Sequence, residues 1–327
     1  MFNAMDGANG TALGNSALQY YIGNYSVAVG RNALGTQNFT TSTDTYNVAV
    51  GYQALSTEDA NGESVAIGYR ALKVQNAGAA AYNTAVGYVA GRDTTTGIRN
   101  TLVGALAAYD GANGNDNTIV GYAAGQNNAA NYNTFIGSIV GDANTSGDHN
   151  TAMGYNALGA NTVGDRTVAI GSGALRLQNP ATNTDMYNTA VGYDAGQAVT
   201  TGSENTLIGG LSGDAITTGA SNVALGVSSL GANTVGSKTV AIGNQALTAQ
   251  NYGTATDSFN TAVGFQAGLA VTTGIRNTLI GGEAGKALTD ADFNVAVGFQ
   301  ALLSDTLGSR SVAVGYNALV LQNKGSA

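Results

Sequence analysis

Apolar and small residues recur along this chain in one short pattern, in which an aliphatic residue precedes a glycine and a small residue follows three places later. The pattern occurs eighteen times, and most copies lie 17 residues apart. A fixed period of this length is typical of one supersecondary unit repeated along an axis, as in a solenoid. The central glycines are Gly14, Gly30, Gly51, Gly68, Gly87, Gly104, Gly121, Gly137, Gly154, Gly171, Gly192, Gly209, Gly226, Gly243, Gly264, Gly281, Gly298 and Gly315.

The residues before each glycine alternate in a way that predicts a short β-strand. The third residue before it is always Val or Thr, such as Val48 or Thr84, and the residue directly before it is aliphatic, such as Val50. Between these two lies Ala or a larger apolar residue. β-branched residues favour strands, whose side chains alternate between two faces. We expect the Val or Thr and the last aliphatic residue to point into the core, with Ala and Gly outward. The opposite assignment, with Ala and Gly inside a thin roll, is the alternative.

Polar residues of each repeat indicate how the rungs connect. Asn usually stands four places before the glycine, as at Asn100 and Asn205. Asn side chains stacked in successive rungs form an amide ladder, which we expect here. The small residue three places after the glycine begins a second strand or corner, and the segments rich in Thr and Gly that follow are turns.

The fold predicted from these features is all-β: a parallel β-solenoid, or β-roll, of about 18 rungs of about 17 residues. At the spacing of paired strands, such a stack would form a rod roughly 85 Å long. Because composition shows no break, we expect residues 1–327 to form one solenoid region, and because the chain ends within a repeat we expect it to be a piece of a longer fibre. Four gaps between glycines are longer than the rest and predict lateral loops, which include residues 37–39 and 176–186 with the single proline, Pro180.

The predicted outward side of the strand is apolar, which suggests self-association. Ala and Gly stand where a solvated strand would carry polar groups, and a long uncharged strip of this kind should not face water. Larger residues replace Ala in some rungs and would act as knobs between partners. We therefore predict a homo-oligomer, parallel about the fibre axis and trimeric, either intertwined or side by side. The residues assigned to its interface are Leu102, Ile119, Phe135, Leu207 and Leu279.

Composition limits the chemistry and the partners. Charged residues make up 10% of the chain, against about 25% in an average protein. The net charge is −8 with only 12 Lys and Arg residues, so nucleic acid is not an expected partner. No apolar stretch approaches the length of about 18 residues that a membrane-spanning segment needs, and we expect no membrane insertion by this segment.

Motifs at 47–55 and 64–71, with the sequences NVAVGYQAL and SVAIGYRA, resemble the head repeats of trimeric autotransporter adhesins. Similar repeats also occur in phage tail fibres. The resemblance covers nearly the whole chain, although the repeat of this chain is longer. It implies a left-handed parallel β-roll, a trimer, and an extracellular location on a bacterial cell surface or virion.

Residues that could carry catalysis are few. The only histidine, His149, follows Ser146 and Asp148 in one turn, where three side chains so close in sequence cannot readily form a catalytic relay. Carboxylates do not recur as a paired acid and nucleophile. We expect no enzyme activity, no cofactor and no metal site.

Aromatic residues follow the glycine directly in half of the rungs. Their rings could stack on sugars of a receptor, or they could pack as a ladder along the flank of the solenoid. The candidates for receptor contact are Tyr52, Tyr69, Tyr88, Tyr122, Tyr155, Tyr193 and Pro180.

The function expected from the sequence is that of a structural fibre shaft in a phage tail fibre or bacterial surface adhesin, which presents or contributes to host-surface attachment. The alternative is a solenoid that recognises a surface itself, such as an ice-binding or glycan-binding protein. Rows of Thr on a flat face would favour an ice-binding protein, and ten rungs carry Thr three places before the glycine. Because we expect that position to point inward, the fibre shaft is the preferred interpretation.

Overall fold

The computed structural model describes residues 9–19, 23–36, 43–57 and 62–324, and within these ranges the chain is all-β, with strands and turns and no helix. The predicted loop at 37–39 lies outside the described residues. The chain comprises two compact units, Met1–Val163 and Gly164–Ala327. Each unit is a parallel β-solenoid whose described part contains nine strands of three residues, one per repeat. The predicted parallel β-solenoid is therefore confirmed.

The three-residue strands of the first unit are β1 (Thr11–Leu13), β3 (Val27–Val29), β5 (Val48–Val50), β6 (Val65–Ile67), β7 (Thr84–Val86), β8 (Thr101–Val103), β9 (Thr118–Val120), β10 (Thr134–Ile136) and β11 (Thr151–Met153). Those of the second unit are β13 (Val168–Ile170), β15 (Thr189–Val191), β16 (Thr206–Ile208), β17 (Val223–Leu225), β19 (Val240–Ile242), β21 (Thr261–Val263), β22 (Thr278–Ile280), β23 (Val295–Val297) and β24 (Val312–Val314). Equivalent residues of successive rungs are paired without slippage, as in Thr206 with Val223 and Ile208 with Leu225.

Three longer rungs carry an additional strand of two residues, which pairs in parallel with the preceding rung. The pairs are β2 (Gly23–Asn24) with β4 (Thr43–Asp44), β12 (Gly164–Asp165) with β14 (Thr184–Asp185), and β18 (Gly236–Ser237) with β20 (Thr256–Asp257). The loop predicted at 176–186 is therefore partly built into the sheet structure, and Pro180 within it is buried.

The central residue of each strand points into the coil, which makes the predicted face assignment wrong. Ala28, Ala190 and Ala241 are fully buried, whereas the flanking Val or Thr and the last aliphatic residue are half-buried or exposed. The alternative with Ala inside a thin roll is the correct one. The narrow interior, which central Ala residues share with buried Leu residues of the corner such as Leu247, leaves no room for a β-branched residue at every position.

The central glycines keep the rungs at this close spacing. Gly209 has a φ of 131°, and a Cβ placed on it would lie 2.6 Å from the carbonyl oxygen of Gly226 in the next rung. Any side chain would therefore collide with backbone. A glycine is required at this strand end for two reasons: its φ is positive, and the backbone of the next rung lies close to it.

Left-handed backbone conformations form the corners of each rung. In the rung of Gly104, Arg99, Leu106 and Ala108 have φ values of 58°, 62° and 50°. Such values are uncommon for residues with a side chain and cost energy. Hydrogen bonds to the neighbouring rung offset this cost, because the amides of these three residues donate to the carbonyls of Ala81, Tyr88 and Ala124.

The predicted Asn ladder is present and buried. The side-chain oxygen of Asn188 accepts the backbone N–H of Asn205 at 2.9 Å, and that of Asn205 accepts the backbone N–H of Asn222 at 3.1 Å. The side-chain nitrogen of Asn205 donates to the carbonyl of Gly219 at 2.9 Å. One amide thus ties two rungs together and also satisfies a carbonyl in a turn, which buried polar groups require.

Candidate functional site

Two outward-facing surfaces are candidates for function: the face of the three-residue strands and the row of residues that follow the central glycines. We call the first the strand face, which consists of the Val or Thr and the last aliphatic residue of every strand. We call the second the tyrosine row. Both positions recur once in each repeat, so each surface extends from rung to rung within a unit.

The strand face carries a row of exposed or half-buried aliphatic side chains. The exposed fraction is 38% for Ile67 in the first unit, and it is 44% for Leu225 and 40% for Ile280 in the second. The neighbouring row carries Thr or Val and also points outward, as at Thr118. A continuous apolar row of this kind is typical of a surface that binds another protein.

The residues that the sequence analysis assigned to an oligomer interface lie inside the coil instead. Each is the central residue of its strand and is fully buried within the single chain, so none can contact a partner: Leu102, Ile119, Phe135, Leu207 and Leu279. The physical reason is that each fills space beside a glycine of the opposite corner, as Leu102 does at Gly91. The residues available to a partner are their neighbours in the strand.

The tyrosine row is exposed, as a receptor contact requires. The exposed fraction is 58% for Tyr88 and Tyr122 and 63% for Tyr193, while Tyr52 is half-buried. Tyr52, Tyr69 and Tyr88 stack in succession, with centroid distances of 5.4 Å and 5.2 Å. The guanidinium of Arg70 lies 5.0 Å from the centroid of the Tyr69 ring, a cation–π distance. Pro180, assigned to the same role, is buried and is not accessible.

A second row of aromatic and charged side chains directly precedes the Asn ladder, where aromatic residues such as Tyr187 and Phe259 are expected from the sequence to be local anchors. The Phe293 ring lies between the guanidinium groups of Arg276 and Arg310, at 5.3 Å and 5.5 Å from its centroid. Tyr187 donates a hydrogen bond of 3.0 Å to Asp185, which anchors β14. The side chains of this second row therefore find contact partners within their own unit.

His149 belongs to this second row and stacks on Tyr132, with ring centroids 4.8 Å apart. Among the described residues, no group of three or more His, Cys, Asp or Glu side chains is arranged to hold a metal ion. The ionisable groups with shifted pKa values are scattered. Burial raises the pKa of Asp142 and of Asp214, one in each unit, and Arg99 lowers the pKa of Asp116 through a 2.6 Å ion pair.

Comparison with known protein families gives no match, and no curated protein matches the sequence. In the part of the chain that the structure describes, no helix is long and apolar enough to cross a membrane. The fold and the two surfaces therefore carry the functional argument.

Proposed function

We propose that this chain is a non-enzymatic, self-associating shaft of an extracellular fibre, either a phage tail fibre or a bacterial surface adhesin. The observation that carries the proposal is the aliphatic row of the strand face. It runs through every described rung of a unit and remains half-buried or exposed in the single chain, with the largest exposure at residues such as Leu225 and Ile280. Few charged residues interrupt it, because only 10% of the chain is charged.

The energetics favour covering this row by another protein. Removing a half-exposed aliphatic side chain from water contributes roughly 1 kcal/mol. Nine such rungs in a unit would together offset the cost of association, which is several kcal/mol or more. An interface made of many small, equal contributions suits a shaft, since it holds along the whole length and needs no single anchor residue.

A second copy of the same chain is the partner that fits best. The row repeats at the spacing of the rungs, so a parallel copy presents an apolar row with the same spacing. Closed cyclic symmetry would cover the strand face of every copy at once. The resemblance to trimeric adhesin heads favours three copies. The self-association predicted from the sequence thus remains a proposal, but its interface moves to the outward aliphatic residues.

Sedimentation tests the self-association. The wild-type protein is expected to sediment at about three times the chain mass of 32.6 kDa. Ile67→Asp, Leu225→Asp and Ile280→Asp together interrupt the row in both units and should shift the mass toward that of one chain, because carboxylates cannot be buried unpaired against an apolar partner. Leu177→Asp is the matched control, since Leu177 is 43% exposed but lies outside the strand face. A wild-type protein of single-chain mass would reject the proposal.

The attachment role and the location have a separate test. Antibodies raised against the purified chain are expected to label fibres on virions or on intact cells of the source in electron micrographs. Label confined to the cell interior would contradict the extracellular location. No nucleic acid, cofactor or metal enters the proposed function.

Ice binding is the second candidate, because the threonines face outward and not inward as the sequence analysis expected. Five successive strands, from β7 to β11, begin with Thr: Thr84, Thr101, Thr118, Thr134 and Thr151. None of these side chains is buried. Regular hydroxyl and methyl groups on a flat sheet are what recognition of an ice surface needs. A thermal-hysteresis assay decides between the candidates, since a fibre shaft should show no hysteresis.

A further inference from the structure

Between the rungs of Gly51 and Gly154 in the first unit, the tyrosine row contains two places where a ring is missing. From the rung of Gly51 to that of Gly154 the row reads Tyr52, Tyr69, Tyr88, Ala105, Tyr122, Ser138, Tyr155. These residues occupy equivalent places in successive rungs, because the carbonyls of Tyr88, Ala105 and Tyr122 each accept a backbone N–H 18 or 17 residues later, at 2.9–3.0 Å. We call the places at Ala105 and Ser138 the open ring positions.

Where the row has no gap, the rings stack on one another. Tyr52 with Tyr69 and Tyr69 with Tyr88 have interplanar angles of 12° and 9°. Each ring therefore turns a face toward the next rung. Tyr69, with a ring on either side, is only 37% exposed.

At the open ring positions the faces of the flanking tyrosines are uncovered. Tyr88, Tyr122 and Tyr155 are 58–59% exposed. Two rungs separate Tyr88 from Tyr122, and two separate Tyr122 from Tyr155, which corresponds to about 9.6 Å at the spacing of paired strands. One six-membered ring can enter each gap and contact a tyrosine on both sides, as Tyr69 contacts its two neighbours.

The chemistry of the gaps selects a ring with apolar faces and a polar edge. Only the small side chains of Ala105 and Ser138 occupy the open ring positions, their neighbours in the row are tyrosines, and no carboxylate or basic side chain belongs to this part of the row. The hydroxyl groups of Tyr88, Tyr122 and Tyr155 have no hydrogen-bond partner among the described residues. They can donate to or accept from a ligand at the rim.

We propose that the open ring positions at Ala105 and Ser138 bind neutral hexopyranose units of a surface glycan. A pyranose ring presents C–H groups on its faces and hydroxyl groups around its edge, which matches aromatic walls below free phenol groups. Two equivalent positions in one unit allow two sugar units to bind together, so weak single contacts add up on a polymeric surface. This inference rests on the proposed attachment role and names its ligand class.

Filling the gaps tests the inference directly. Ala105→Tyr with Ser138→Tyr completes the ring stack and leaves no space for a ligand, while every existing tyrosine stays in place. Saturation-transfer NMR is carried out with methyl glycosides of glucose, galactose and mannose, and with N-acetyltyrosinamide as an aromatic probe. Saturation is expected to pass from the wild-type protein to the ring protons of at least one glycoside. The filled variant is expected to bind that glycoside with about tenfold lower apparent affinity. Val227→Tyr adds a ring at the same row position of the second unit and is the matched control.

Tyr122 distinguishes a sugar from an aromatic ligand, because it borders both gaps. Tyr122→Phe keeps the stacking face and should weaken glycoside binding about threefold to fivefold, through the lost hydroxyl contact. Binding of the aromatic probe should not change. The inference is overturned if no glycoside binds, if the filled variant binds as well as the wild type, or if only the aromatic probe binds. Sedimentation of the same samples reports on self-association independently, so failure of sugar binding is distinguishable from failure of the proposed shaft.

Discussion

Leu207 occupies the space that Gly213 leaves open inside the coil. A Cβ built on Gly213 would lie 2.8 Å from Cδ2 of Leu207, and one built on Gly196 would lie 2.6 Å from Cδ1 of the same residue. Most rungs with Ala at the centre of the strand carry Leu at the corner instead, as in Ala241 and Leu247, both fully buried. Three such rungs have Gly at the corner, and there the central Leu of the following rung fills the space, as Leu207 does at Gly196. The interior of the coil is thus kept filled by exchanging large and small residues between the centre and the corner, within one rung or between neighbouring rungs, which native packing density requires.

This exchange predicts coupling between the two positions. Leu207→Ala alone should destabilise the second unit by about 3 kcal/mol through the cavity it leaves. Gly213→Leu alone should cost about 1–3 kcal/mol through overpacking. The double variant recreates the pair of Ala241 and Leu247. It should be more stable, by at least about 1 kcal/mol, than the sum of the two single effects predicts. Urea unfolding followed by circular dichroism measures the free energy of unfolding of all three variants.

An uncoupled pair provides the control for that cycle. Gly210 has no atom within 4 Å of a built Cβ, so Gly210→Ala does not contact Leu207. Leu207→Ala combined with Gly210→Ala should therefore be additive. If the effects of Leu207→Ala and Gly213→Leu were also additive, the proposed exchange of volume between the two positions would be contradicted.

The repeat, the parallel strands and the Asn ladder follow from the sequence alone, because glycine, β-branched residues and Asn recur in register. Which face of the strand points into the core does not follow from the sequence. Three residues give only one alternation, and in Val223–Leu225 both faces are apolar, so periodicity cannot say which one is inside. Interior volume could have settled it, since Phe135 and Leu207 precede glycines at the corner, Gly141 and Gly213.

The candidate contact surface was predicted in part. Aromatic residues after the glycine are visible in the sequence, and their exposure agrees with a contact role. The burial of Pro180 could not be foreseen, because it depends on how a long rung folds back beside its neighbour through β12 and β14. The open ring positions likewise need the register of the rungs, since gaps of 16, 17, 19 and 21 residues separate the glycines.

The central glycines are expected to be the positions least tolerant of substitution. Gly209→Ala forces a Cβ against the Gly226 carbonyl at 2.6 Å and places Ala at a φ of 131°. We expect a loss of at least about 4 kcal/mol, from backbone strain together with separation of the rungs. The adjacent Gly210→Ala should change stability by less than about 0.5 kcal/mol, because its Cβ meets nothing. Thermal unfolding of the two variants makes the comparison, and equal melting temperatures would refute the role assigned to Gly209.

Removing one amide of the Asn ladder should leave buried groups without partners. Asn205→Ala leaves the buried N–H of Asn222 and the carbonyl of Gly219 without their hydrogen-bond partner. It should lower the free energy of unfolding by about 2–4 kcal/mol. Asn294→Ala should cost less, because the side-chain nitrogen of Asn294 already lacks a partner and only its oxygen is bonded, to the N–H of Ser311. Chemical denaturation ranks the two variants, and the reverse order would contradict the ladder as described.

Tyr252 should make the second unit sensitive to alkaline pH. Its ring is only 5% exposed, its hydroxyl donates to the carbonyl of Gly274 at 2.9 Å, and burial raises its pKa from 10.0 to about 12. Because the folded state holds this proton more tightly than the unfolded state, the stabilisation is complete below pH 10 and is lost as the pH rises toward about 12.

Tyr252→Phe should be less stable by about 1 kcal/mol at neutral pH, through the lost hydrogen bond. It should then lose less stability than the wild type between pH 10 and 12, so the two melting temperatures converge. Tyr155→Phe, at an exposed ring of the first unit, is the control and should follow the wild-type pH profile; a constant difference between Tyr252→Phe and the wild type across this range would show that the buried hydroxyl does not titrate as described.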